Sequence, residues 1–127
     1  MNMGKVVFGF FVLLALTLNF GFFLGDIDNP AHHNVYELFA ALVVGLIATV
    51  LKFGERSQIG AVLLASSLVV DLQLIAAAIT WAVAAHMTDH GLTPAVMASI
   101  VSLSGGALLA NLLSVVLLTL DTAGLSR

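Results

Sequence analysis

Residues 59–86 read IGAVLLASSLVVDLQLIAAAITWAVAAH. As a helix this run can cross a hydrocarbon core of about 30 Å, which takes roughly 20 apolar residues. A carboxylate, Asp71, lies near its middle. A charged side chain at that depth costs at least about 2.5–3.5 kcal/mol. Asp71 is therefore expected to face protein, water or a bound partner rather than lipid.

The rest of the chain agrees with a membrane reading. It has 127 residues, 61% hydrophobic and 9% charged, against about 25% charged in an ordinary soluble domain. The expectation is one transmembrane domain with the lipid bilayer as its solvent. Three further apolar runs, at 6–24, 35–51 and 95–120, make four spans with the central one. The fold class expected is an all-α, four-helix transmembrane bundle. The first run carries six of the eight Phe residues, with Thr17 and Asn19 as its polar exceptions. It is longer than a signal-peptide core and has no small-x-small cleavage pattern after it. It reads as a first span.

Local signals mark the helix ends. Asn34 is a candidate N-cap with Glu37 at the capping-box position, although Glu37 is equally placed to pair with nearby histidines. Gly91 suits a left-handed residue after the third helix, and Pro94 suits the first turn of the fourth. Lys5, Lys52, Arg56 and Arg127 all fall on the side shared by the termini and the middle loop, and the other two loops hold no Lys or Arg. By the positive-inside rule both termini are expected in the cytoplasm.

Small multidrug-resistance transporters and fluoride channels have similar length and span number. Here the charge bias is complete, the central carboxylate is in the third span, and the Phe and Thr motifs of fluoride channels are missing. The stretch NVYELFAALVVGLIATVLKFGERSQIGAVLLASSLVVDLQLIAAA, residues 34–78, instead resembles a bacterial inner-membrane family of small four-helix proteins, known as a domain of unknown function. That resemblance implies a bacterial plasma membrane, and no activity or residue role.

Three constellations could carry chemistry. In the third span, Ser67 and Asp71 share one face with Ala78, Ala82 and Ala85, while Ser66, Gln73, Ala77, Thr80 and Ala84 lie roughly opposite. Two such faces suggest cover from the chain's own bundle and from a second subunit, hence a homo-oligomer. Asp71, with Gln73, Ser67, Asn19 and Asn111 as neutral oxygens, could line a path for an inorganic cation; a structural hydrogen bond from Asp71 is the plainer alternative. In the fourth span, Ala98, Ser102, Gly106, Ala110 and Ser114 recur every four residues, a seam for close helix packing. Gly45 sits in a shorter version in the second span. Ser104-Gly105-Gly106 could instead mark a broken helix with ion-binding carbonyls.

The third constellation is on the outer side. His32, His33, His86 and His90 lie in or beside the outer loops with Asp26, Asp28, Glu37 and Asp89. If the third helix runs on to His90, then His86 and His90 stand one turn apart beside Asp89, a usable spacing for a divalent metal ion. The alternative is ordinary dipole stabilisation at a helix C-terminus. Either way, an outer face with acids and no bases attracts cations.

The chain lacks cysteine, and with it thiol chemistry. It carries none of the hydrolase, zincin, P-loop or dinucleotide signatures, so no catalytic residue and no organic cofactor are expected. Four basic residues argue against nucleic acid. The leading expectation is a small oligomeric cation channel or cation-coupled transporter, with an acidic outer vestibule and a midplane carboxylate. The alternatives are a non-conducting accessory or assembly protein, and an outer-face metal or pH sensor.

Overall fold

A computed structural model of the chain describes residues 3–54 and 57–124. Arg56 and Arg127, half of the basic residues behind the expected orientation, lie outside the described residues, as does Glu55. The elements are α1 (Met3–Phe23), a short 3-10 turn (Pro30–His32), α2 (Val35–Lys52), α3 (Gln58–Met87) and α4 (Pro94–Thr122). All four α-helices are long and apolar enough to cross a membrane. Among the described residues there is no strand.

Side-chain caps set where three of the helices start. The Asn34 side chain accepts from Tyr36 N at 2.8 Å, Ser57 Oγ from Gly60 N at 3.0 Å, and Thr93 Oγ1 from Val96 N at 3.2 Å. Each satisfies a backbone N–H that the first turn leaves unpaired. Pro94 follows its cap in the first turn of α4, where a missing N–H costs nothing. Glu37 does not close a capping box: its carboxylate lies against Gly21 of α1. Gly91 takes the left-handed conformation, φ +63°, but in the loop rather than directly after α3, whose C-cap is Thr88.

The helices pack in a ring: α1 on α2, α2 on α3, α3 on α4, and α4 back on α1. Two apolar clusters fill the interior. One, at the end carrying the α1–α2 and α3–α4 loops, is built on Phe22, Leu38, Leu74, Met97, Ile100 and Val101. The other, at the terminal end, is built on Phe8, Val12, Ala48 and Leu63. Between them the interior turns polar, with Thr49, Ser66, Ser67, Asp71, Asn111 and Ser114 all buried. Outside, large apolar side chains are bare: Leu109 is 70% exposed, Leu72 69% and Val50 68%. Polar groups inside and aliphatic groups outside is the reverse of a water-soluble bundle.

The third helix is covered in part by its own bundle. Ser66 and Ala77 on one face and Ser67 and Asp71 on the other are all buried within this one chain, because α3 sits between α2 and α4. Of the same two faces, Ala82 is exposed and Gln73, Thr80 and Ala85 are half-buried. The seam on α4 is likewise divided. Ser102 is exposed, Ala110 is half-buried against the core, and Gly106 packs inside the chain. A Cβ on Gly106 would stand 2.6 Å from Gln73 Oε1, so the glycine makes room for an α3 side chain. The α4 helix also runs unbroken through Ser104-Gly105-Gly106, so the broken-helix alternative is not what this fold contains.

Candidate functional site

Asp71 comes off the middle of α3 and is 5% exposed. It packs against α2 at Gly45, where a Cβ would stand 3.1 Å from Asp71 Oδ1. Gly45 thus does more than bring two helices close: its missing side chain is the space the carboxylate occupies. One turn along α2, Thr49 Oγ1 donates to Asp71 Oδ2 at 2.5 Å and also lies 3.0 Å from Gly45 O. A hydroxyl has a single proton, so it serves the carboxylate or the backbone carbonyl at any moment, not both.

The other carboxylate oxygen, Asp71 Oδ1, is buried with no hydrogen-bond partner among the described residues, and so is Asn111 Oδ1 on α4. Beside Asn111 lies a void of about 10 Å³, close to the least space that holds one water molecule, about 10–15 Å³. Every helix contributes two residues to its wall: Val12 and Ala15, Gly45 and Ala48, Ser67 and Val70, Asn111 and Ser114. The void is therefore on the bundle axis, with apolar walls from α1 and polar ones from α3 and α4. Ser114 Oγ is also paired with Ser66 Oγ at 2.6 Å, and Ser66 in turn donates to Leu63 O at 2.9 Å.

Of the five residues expected on an ion path, Ser67 and Asn111 share the wall of this void, while Asp71 meets α2 at Gly45 and Thr49. Asn19 is elsewhere. Its Nδ2 donates to Ser104 O at 3.1 Å, and Ser104 Oγ donates to Asn19 Oδ1 at 2.5 Å, a reciprocal α1–α4 pair. Gln73 lies over Gly106, on the other side of α3. Thr49 and Ser114 were not among the expected path residues. The signal was present, since Thr49 follows Gly45 by four residues and Ser114 ends the small-residue seam.

The histidines form no comparable site. His33 is buried, with Nδ1 2.6 Å from Phe22 O and Nε2 2.7 Å from Asp26 O. Both ring nitrogens are thus turned to backbone carbonyls of this chain and not toward the other histidines or a metal. His32 Nδ1 accepts from Asp26 N at 2.8 Å, the N–H that another helical turn would have directed at Phe22 O. The two histidines together finish α1. The last turn of α3 ends at Met87, so His86 and His90 are not held one helical turn apart, and both are exposed with Asp89. Among the described residues no three His, Asp or Glu side chains gather closely enough to hold a metal ion.

At the terminal end, Lys5 pairs with Asp121 at 3.5 Å and Lys52 lies over the Phe8 ring, 4.6 Å from its centroid. The two described basic residues thus sit together, away from the histidine loops.

A model of a family of unknown function, DUF6394, matches residues 32–122. The chain belongs to this family. The match begins at His32 and runs through α2, α3 and α4. It includes Gly45, Thr49, Asp71 and Asn111, whereas α1, with Val12, Ala15 and Asn19, precedes it. No curated protein and no solved structure matches the chain.

Proposed function

We propose that the protein is a multi-pass membrane protein that binds a small inorganic cation inside its four-helix bundle and carries it across the bilayer. In this reading both termini are cytoplasmic, in a bacterial inner membrane, and the acidic loop end faces outward and gathers cations. The observation that carries it is the Asp71 carboxyl group buried in the middle of α3, whose Oδ1, like Asn111 Oδ1, has no hydrogen-bond partner among the described residues. A buried polar atom without a partner costs about 1–3 kcal/mol, more if charged, and a purely structural carboxylate would be satisfied by the protein itself. Val12, Ala15 and Val70 close the void with apolar walls, which favours an occluded carrier over a standing pore. A non-conducting accessory protein is the second reading, favoured by that same closure.

Flux separates the two. Purified protein in liposomes is expected to move a cation under an imposed gradient, and Asp71→Asn is expected to reduce that flux to the level of empty liposomes. Asparagine retains an acceptor for Thr49 while removing the charge. Parent flux equal to that of empty liposomes for Na⁺, K⁺, H⁺ and divalent cations would establish the accessory reading.

A further inference from the structure

We infer that Asp71 is a proton-binding site whose carboxyl rests protonated and donates to Thr49; the cation of the transport reading, on which this assignment rests, is then a proton. Hydrogen-bond counting is the first reason. Thr49 Oγ1 lies 2.5 Å from Asp71 Oδ2 and 3.0 Å from Gly45 O, and its one proton serves one acceptor at a time. With an ionised carboxylate both neighbours only accept, so one of the two contacts has no hydrogen in it. A proton on Oδ2 completes the set: Asp71 donates to Thr49, and Thr49 donates on to Gly45 O. That second link is the usual back-bond of a helical threonine to the carbonyl four residues earlier. Thr80, Thr88, Thr119 and Thr122 all make it in this chain.

Charge is the second reason. Asp71 is buried and takes part in neither ion pair found among the described residues. Gly45 and Thr49 on α2, Ser67 on α3, and Asn111 and Ser114 on α4 bring no titratable group to this layer. The basic residue of α2, Lys52, is one turn beyond Thr49 and lies over the Phe8 ring. An ionised Asp71 would be a buried charge holding one hydrogen bond, the costliest kind of burial. The neutral acid leaves Oδ1 as an uncharged acceptor without a partner, a smaller loss. Space is the third reason. The axial void is walled by Ser67, Asn111 and Ser114 but not by Asp71, and a proton needs no cavity. Thr49 is the positioning residue for both states. When the Oδ2–H bond breaks, the proton leaves to water and the electron pair stays on Oδ2. The Thr49 hydroxyl then turns from Gly45 O to donate to the carboxylate.

The experiment is infrared difference spectroscopy of the purified protein in lipid at neutral pH, unaltered protein minus Asp71→Asn. A protonated carboxyl has a C=O stretch separate from the carboxylate bands. The expected result is one such band in the unaltered protein that Asp71→Asn lacks; a difference spectrum without it overturns the assignment. Thr49→Val and Thr49→Ser keep the acid, so they do not depend on how Asp71→Asn folds. Valine removes the acceptor and is expected to move the band, and serine, which restores a hydroxyl, to return it. A band that valine leaves in place overturns the Asp71-to-Thr49 bond. A carboxyl band without proton flux in liposomes would keep this site and remove transport. Flux of another cation without a carboxyl band would keep transport and remove this site.

Discussion

Two polar pairs cross the interior of this bundle, and they are built on opposite terms. Asn19 and Ser104 join α1 to α4 through two bonds that use both ends of the amide. Asp71 and Asn111, on α3 and α4, are as deeply buried, 5% and 3% exposed against 0% for both members of the first pair. Yet each keeps an oxygen with no hydrogen-bond partner among the described residues. The first pair needs nothing from outside the chain and works as a helix clamp. The second leaves one acceptor on each residue unsatisfied. Burial alone does not distinguish a structural polar residue from a functional one; the state of its hydrogen bonds does.

Substitutions can sharpen that contrast. The largest stability change is expected for Asn19→Ala, which strands the Ser104 hydroxyl and empties a packed position. Interhelical hydrogen bonds in membranes average about 0.6 kcal/mol each, so two bonds with the lost packing predict a loss of about 1–2 kcal/mol. Unfolding in detergent measures it, and an unchanged midpoint would deny the pair its clamping role. Asn111→Leu is expected to leave the midpoint unchanged or raise it slightly, since removing an unsatisfied buried acceptor is nearly neutral or stabilising. A loss as large as that of Asn19→Ala would erase the distinction between the two pairs. Gly106→Ala should change least. Its Cβ meets the flexible end of Gln73 at 2.6 Å, which can swing aside, and alanine gains about 1 kcal/mol of helix propensity over glycine. A midpoint drop above about 1 kcal/mol would mean that Gln73 is held in place, and would return it to the candidate site.

Much of this was legible from the chain in one dimension. Apolar run length and the Asn34, Thr93 and Pro94 signals are local, so they place helices without any knowledge of packing. Asp71 also stood out alone, because a carboxylate in a long apolar run is expensive wherever the helix packs. The histidine loops were less legible. A cluster of imidazoles and carboxylates in sequence is compatible with metal binding, and only the backbone decides where the ring nitrogens point. Here Phe22 O and Asp26 O take both nitrogens of His33.

The sequence by itself therefore determined four apolar helices, their caps and the one carboxylate that must be accommodated among them. The tertiary structure alone decided which polar residues share a wall. Helical periodicity fixes the angle at which a residue leaves its own helix, but not which helix it meets or at what height. Asn19, Gln73 and Asn111 carry the same amide group. The packing of four helices set the first against Ser104, the second over Gly106, and the third beside a void shared with Ser67 and Ser114.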